Sequence, residues 1–278
     1  TLPTIYSTAY YEGMELGEIW GYKVDGLFES AEEAAGWANQ DKFKYFTGTW
    51  QAGDIKLHDE NGDNVINNGA GTINDHGDLV KIGNLLPRYC YSFTLNLGWN
   101  GIGLSAMFQG VGKRDWYPEG GSGYFYGMYN RAYGFCLPWQ TSENRYSEEN
   151  PDVNTYWPKM RGYQSQYSGG IMFHANDRFL QNASYLRLKN VTLDYTLPAK
   201  ITRKAKIERL RFYLTGENLL TWTPLKEHAA NYDPENISLG DSEFGITTNA
   251  QSNSGSAQGA GYSYPIMRTY TFGINITF

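Results

Sequence analysis

The chain is poor in the residues that most small functional sites are built from. Cys90 and Cys136 are its only cysteines among 278 residues, too few and too far apart to define a disulfide framework or a metal site. The four histidines, His58, His76, His174 and His228, share no ligand spacing and read as ordinary surface or loop residues. No Lys/Arg run stands out and the formal net charge is −6, which argues against nucleic acid as a partner. Gly110-Val-Gly112 and Gly120-Gly-Ser-Gly123 lack the strand–glycine–helix setting and the GK[ST] of a phosphate loop. No stretch approaches the roughly 18 to 20 apolar residues of a spanning helix. That excludes a helical membrane protein but leaves a membrane β-barrel open, because barrel strands alternate and barrel loops are polar. Thr1-Leu-Pro-Thr4 carries neither the basic start nor the apolar run of a secretion signal, so a leader has been removed or the natural start lies elsewhere.

Aromatics are what the chain has in excess: 16% of its residues, with 23 Tyr and 8 Trp, against a mean hydropathy of −0.54. Such rings suit the interfacial girdles of a membrane protein, and equally a sugar-binding surface. The closing stretch alternates without a break. Tyr270, Phe272, Ile274, Ile276 and Phe278 share one face, and Thr271, Gly273, Asn275 and Thr277 the other. Period-two alternation marks a strand with one apolar side, in a sandwich or in a barrel whose other side is wet. The terminal Phe favours the barrel. Tyr89, Tyr91, Phe93, Leu95, Leu97 and Trp99 repeat the pattern, and Asn100-Gly101 is a two-residue hairpin turn. Ile102 to Gly110 returns from it. A further pair runs from Ala183 to Leu197 and from Arg209 to Asn218. In the first of these Val191, Leu193 and Tyr195 share a face, and Arg187 and Lys189 fall in phase with them, which places those two cations beyond the apolar band. Glu12 to Glu29 reads as a further β-rich segment. Ser30-Ala-Glu-Glu33 is a capping box that opens a short loop helix over 31–39.

Gly53 to Asn67 contains the one metal-like pattern. Asp59, Asn61 and Asp63 fall at positions one, three and five of a calcium loop, and the Val65 carbonyl at position seven. Position six is Asn64 where such loops have Gly, and position twelve is Ala70 where they have a bidentate Glu. Asp75 or Asp78 would have to close the shell. An Asx-rich turn needs no ion and explains the same residues. Both readings stay open, and either makes the loop a brace with no chemistry of its own.

The order of turns and tracts is informative. Short connections at 99–101 and 198–206 alternate with long tracts at 29–87, 111–180 and 219–264. Bacterial barrels place short turns on the periplasmic side and long loops outside. About six strands are legible, fewer than the roughly 8 of the smallest barrels, so the segment reads as the end of a larger barrel.

Several stretches then point to a family. They are Glu12 to Phe28 (EGMELGEIWGYKVDGLF), Gly53-Asp-Ile-Lys56 with Asp59 to Asp63, Ile82-Gly-Asn84 with Pro87-Arg-Tyr89, and Glu148-Glu-Asn-Pro151. Ala183 to Pro198 (with YLRLKN at 185–190), Gly216-Glu-Asn-Leu219 and Arg268 to Phe278 complete the set. In this order the chain resembles SusC/RagA-type TonB-dependent outer-membrane transporters. The resemblance implies an all-β fold, the C-terminal portion of a transmembrane antiparallel barrel spanning 1–278, with long extracellular loops and the plug and N-terminal parts absent. It implies import of oligosaccharide or peptide across the outer membrane of a Bacteroidota-type cell. A SusD-like lipoprotein would act as lid, the TonB complex would supply energy through the missing parts, and outer-membrane lipid would surround the wall. It implies no catalysis. Calcium, if held at Asp59, Asn61, Asp63 and Val65, would be structural. Trp116, Tyr117, Tyr124, Tyr126, Trp139 and Trp157 are loop aromatics placed to stack on sugar rings, or else to pack the loops against one another.

Two other readings compete. A secreted carbohydrate-binding β-sandwich explains the aromatics and the acidic charge, and it requires a protein core over the apolar faces of 89–99 and 270–278. A glycosidase requires two carboxylates held at a set separation, and pairs such as Asp233 and Glu235 carry no signal that fixes one.

Overall fold

A computed structural model describes residues 10–118, 123–129, 136–161, 170–172, 174–237 and 266–278. Its strands are β1 (Glu18–Gly21), β2 (Val24–Leu27), β3 (Ile55–Leu57), β4 (Val80–Asn84), β5 (Cys90–Trp99), β6 (Ile102–Val111), β7 (Asp115–Trp116), β8 (Gln181–Asn182), β9 (Tyr185–Thr196), β10 (Arg209–Trp222) and β11 (Thr269–Thr277). The chain divides into two compact units. One is drawn from Thr1–Leu86, Asp115–Asn182 and Leu225–Ser263, the other from Pro87–Arg114, Ala183–Pro224 and Tyr264–Phe278.

The second unit is one open antiparallel sheet in the order β11-β10-β9-β6-β5. Its hairpin turn has Asn100 at φ 46 and Gly101 at φ 85, the two left-handed residues that match the twist of the flanking strands. Both short connections leave the sheet at the same end, where the Thr196 N–H donates to the Gly101 carbonyl at 2.8 Å. The three long tracts leave from the other.

Two features of this sheet correct the sequence reading. β10 continues to Trp222, four residues past Asn218, because Asn218 takes a left-handed φ of 53 and the strand passes through a bulge where 218 and 219 fall between paired residues. β9 has its own irregularity. Met107 pairs with Asn190 and Phe108 with Leu188, so Lys189 is skipped in the register. The skipped residue reverses the phase. Leu186 and Leu188 join the face of Val191, Leu193 and Tyr195, while Arg187 moves to the opposite one. The cation that strict alternation would place at the rim of the apolar face lies behind it.

The first unit holds the short strands and a core of its own. β1 pairs with β4, β2 with β3 and β7 with β8, so the β-rich 12–29 segment belongs here and not to the large sheet. Ile19, Phe28, Phe43, Ile55, Leu57 and Ile66 are fully buried, and so are Phe125, Tyr126, Trp157 and Phe179 from the second long tract. The helix after Ser30 spans Ala31–Gly36, shorter than 31–39. Ser30 Oγ accepts the Glu33 N–H at 3.1 Å, but Glu33 reaches back to the Glu29 N–H at 2.7 Å, one residue before a standard capping box.

Gly53-Asp-Ile-Lys56 shows why a motif of this kind is needed. Gly53 has φ +83 and the Tyr146 ring lies against it, 2.0 Å from where a Cβ would stand. Gly53→Ala combines a strained φ with overpacking, and we expect roughly 2–4 kcal/mol of destabilisation, read as a lower melting temperature of the full-length protein. A shift too small to measure would show that the ring is not seated there.

Candidate functional site

The large sheet carries apolar residues on one face, and that face is open. On β5 the row is Tyr91, Phe93, Leu95, Leu97 and Trp99, with Trp99 77% exposed. The register places these beside Gly110, Phe108, Ala106, Leu104 and Ile102 of β6. Tyr195, Leu193 and Val191 follow on β9, Phe212, Leu214 and Gly216 on β10, and Ile274, Phe272 and Tyr270 on β11. Phe272 is 67% exposed and Phe278 86%. Water would penalise such a continuous surface, which exceeds the patches ordinary monomers expose. Among the described residues no second sheet covers it, as the sandwich reading requires.

Aromatic rings stand towards both ends of the two edge rows, at Tyr91 and Trp99 on β5 and at Tyr270 and Phe278 on and just past β11, with the same spacing in both. Phe93, Phe108, Phe212 and Phe272 lie between these two levels, and Tyr89 precedes Tyr91. The rung of Trp99 runs through Ile102, Tyr195 and Phe212 to Ile274, four residues short of Phe278. The rung of Leu95, four residues beyond Tyr91, runs through Ala106, Val191 and Gly216 to Tyr270. Both girdle lines therefore slip by the same amount across four strand-to-strand steps. Four residues at ~3.4 Å against four steps at ~4.8 Å make an angle of about 35° between each strand and the in-plane perpendicular to these lines, and the lines then stand about 22 Å apart. Outer-membrane barrels have strands tilted about 35–45° and an apolar band about 25 Å tall between aromatic girdles. The agreement of tilt and height is the strongest geometric feature of the chain.

The reverse face is polar. Arg211 Nε donates to Asp194 Oδ1 at 2.9 Å, the Thr192 and Thr215 hydroxyls meet at 2.9 Å, and Arg187 Nε donates to Thr221 Oγ1 at 2.9 Å. Glycines on this face admit large neighbours, and the Tyr213 ring covers Gly273. One side of the sheet thus suits hydrocarbon and the other water.

In the first unit the aromatic tract forms an interior. Trp157 stacks on Tyr129 at 5.2 Å and lies 5.7 Å from Phe179. Trp116 packs against Phe125 and Tyr232. The Tyr117 hydroxyl donates to the His174 carbonyl at 3.0 Å. Trp116, Tyr117, Tyr126 and Trp157 are all buried and engaged in packing, whereas Trp139 is half-buried. The Tyr124 side chain lies outside the described residues. His228 stacks flat on Tyr156 at 3.6 Å, and burial holds its imidazole below the usual histidine range against the pull of Glu227. A small, shallow cleft is lined in part by Phe43, Phe46, Trp50, Lys159 and Arg161, a place where this unit presents rings and cations together.

The Asp59–Val65 loop is a chain of Asx turns. Asp59 accepts the N–H groups of Gly62 at 2.8 Å and Asn64 at 2.7 Å. Asn61 Oδ1 accepts from Asp63 N–H at 2.9 Å, and Asp63 Oδ1 from Val65 N–H at 2.8 Å. Asn64 has φ 63, so it fills the left-handed role of the expected Gly, as Asn can. The Val65 carbonyl accepts from Asn67 Nδ2 at 2.9 Å. Asp78 accepts from the Glu60 and Asn67 N–H groups at 2.9 and 2.7 Å, and Asp75 from Ala70 N–H at 3.1 Å. Among the described residues no three His, Cys, Asp or Glu side chains gather as a metal-holding group. Asp233 likewise spends Oδ1 on the Glu235 N–H at 2.9 Å, which makes that pair a turn.

Glu18 is the most perturbed carboxylate described outside the sheet. Burial pushes it up, but hydrogen bonds from Tyr11, Trp20 and Lys81 outweigh burial and hold it at about 2. Its ordinary value is 4.5, so the depressed folded pKa stabilises the fold above that pH. The stability, on the order of 3 kcal/mol, drains away as pH falls from there toward about 2. Glu18→Gln should flatten that part of a stability–pH curve. An unchanged slope would mean the cluster is not coupled to folding.

No protein-family model matches the chain. Two curated relatives come from Formosa agariphila. The TonB-dependent receptor P26 is 29% identical over 251 residues, covering 84% of this chain and 22% of the receptor. The TonB-dependent receptor P3 is 25% identical over 269 residues, covering 96% of this chain and 22% of the receptor. The chain therefore spans about a fifth of the length of the relatives it matches. Among solved structures, the RagAB peptide importer in its "closed-closed" state aligns with 96% of this chain and 25% of its own, at TM-score 0.52 and 20% identity. That likeness extends to the fold.

Proposed function

We propose, for a chain that is a SusC/RagA-type relative of the TonB-dependent outer-membrane receptors, that residues 1–278 supply late barrel wall and extracellular loops to an importer. The large sheet is the wall, its Tyr91–Trp99 face against lipid and its Asp194–Arg211 face toward the lumen. The first unit contributes loops, and the cargo those loops would meet is an oligosaccharide or a peptide. A SusD-like lipoprotein covers the loops and the TonB complex drives release through parts of the protein outside this segment. The fold serves transport and not catalysis, in keeping with relatives that are receptors. The two parallel aromatic lines, with their tilt and height, are the observation that carries this reading. They are properties a lipid-facing wall needs and a sugar-binding sandwich does not.

An antibody to the 111–180 tract, used on fractionated cells, tests the proposal. A band several times 31.5 kDa in the outer membrane supports it, and a soluble band near that mass returns the sandwich. Calcium at Asp59–Val65 is a separate proposal. A calcium-dependent rise in melting temperature that Asp59→Asn removes would assign the ion. Equal melts in calcium and chelator would leave the Asx turns as the whole brace.

A further inference from the structure

The connection between β9 and β10 has an unusual charge. Lys200, Arg203, Lys204, Lys206 and Arg209 are all exposed, and Glu208 is the only acid among them. Ala199–Thr202 is a helical turn continued by a tighter one at Arg203–Ala205, so Lys200, Arg203 and Lys204 lie three and four residues apart on one side. Lys206 closes the turn with φ 58. Among the described residues Lys200, Arg203, Lys204 and Lys206 form no ion pair, whereas Arg211, just inside the sheet, is paired with Asp194. Ile201, beside Lys200, is 58% exposed.

The position of this turn says what it faces. It begins directly after the last rung, where the Leu197 N–H donates to the Leu210 carbonyl at 2.9 Å, and it follows the apolar face at Tyr195 and Phe212. Headgroup layers extend only about 5–7 Å beyond the hydrocarbon on each side. A compact turn starting at the edge of the apolar band sits within that layer. Unpaired cations there, beside an exposed aliphatic side chain, match an anionic interface.

We propose that the Lys200–Arg209 turn is a docking surface for the anionic phospholipid headgroups of the leaflet that receives the short turns. The cations bind headgroup phosphates while Ile201 enters the acyl boundary. The inference rests on the barrel-wall reading, and it adds a lipid preference that the wall alone does not require.

The test uses the full-length receptor, reconstituted in vesicles of phosphatidylethanolamine with phosphatidylglycerol and then extracted gently, with retained lipids weighed by mass spectrometry. The wild type should retain phosphatidylglycerol preferentially, in a salt-sensitive way. Each cation near an anionic surface strengthens attraction by about fivefold, so Lys200→Gln/Arg203→Gln/Lys204→Gln/Lys206→Gln should lower the enrichment at least about tenfold. Heat-modifiable gel migration verifies that the variant is folded. Lys42→Gln/Lys44→Gln, in the loop unit, should leave the enrichment unchanged. Unchanged enrichment in the fourfold variant, or equal loss in the loop variant, overturns the inference. A wild type that retains lipid without regard to charge defeats this inference alone, and one that retains no lipid defeats the barrel-wall reading beneath it.

Discussion

Leu95→Arg in the full-length protein is expected to cost about 2–4 kcal/mol and to empty the outer membrane of folded protein, while Thr94→Arg next to it costs about 1 or less. Leu95 is 47% exposed, and an exposed residue of a water-soluble protein usually tolerates substitution within about 0.5 kcal/mol. In lipid the expectation reverses. Leu95 lies midway between Tyr91 and Trp99, where a cation meets the centre of the apolar band and is most costly. Thr94 points to the polar face beside Met107, where Arg finds water. Ile274→Arg on β11 should behave like Leu95→Arg, because it holds the same place between Tyr270 and Phe278. Urea titration of the reconstituted protein measures all three. Equal tolerance at Leu95 and Thr94 would mean that the face is not in lipid.

The second large effect belongs to the loop unit. Asp54→Ala should destabilise that unit by about 3–5 kcal/mol, as loss of one partner from a buried ion pair does. Asp54 is 3% exposed. It accepts from Arg161 Nε at 2.7 Å and also from Arg161 Nη2, and from the Gln51 N–H at 2.8 Å. Removing the carboxylate leaves the guanidinium with the Thr49 carbonyl at 3.1 Å and the Phe46 ring at 4.3 Å, neither of which neutralises it. Asp54→Leu/Arg161→Met should recover most of the loss, since an apolar pair avoids the desolvation cost. Limited proteolysis of the loops reads both variants. Protection unchanged in Asp54→Ala would show that the pair is a surface ornament.

The sheet was legible because its side chains obey a period of two. Tyr89–Trp99, the Asn100-Gly101 turn and Tyr270–Phe278 are each complete in local sequence, and the alternation of short and long connections orders them. The errors lie where period two fails. Lys189 is skipped in the register and Asn218 adopts a left-handed φ, and nothing in YLRLKN or GENL announces a bulge except the Asn itself, a residue that tolerates that conformation. The loop unit was illegible for a different reason. Phe125, Trp157 and Phe179 come together from irregular chain with neither helical nor strand periodicity, so their burial leaves no pattern to read. Of the two readings of the loop aromatics, stacking on sugar rings or packing the loops against one another, the burial of Trp116, Tyr117, Tyr126 and Trp157 agrees with packing. The calcium-like spacing and the Asx-rich turn were both legible at Asp59–Val65, but that Asp78 would accept the Glu60 and Asn67 N–H groups from outside that stretch was not.

The central claim is that one face of this sheet meets lipid and the other water. Single cysteines at 93, 94, 95, 96 and 97, in the full-length protein with Cys90 and Cys136 replaced by Ser, can carry spin labels in native outer membranes. Collision with oxygen, which concentrates in hydrocarbon, and with a water-soluble nickel chelate then reports each environment. The account predicts oxygen access at 93, 95 and 97, nickel access at 94 and 96, and the same alternation at 272 through 275. Nickel access at every position, or access to neither reagent at 93, 95 and 97, would contradict it.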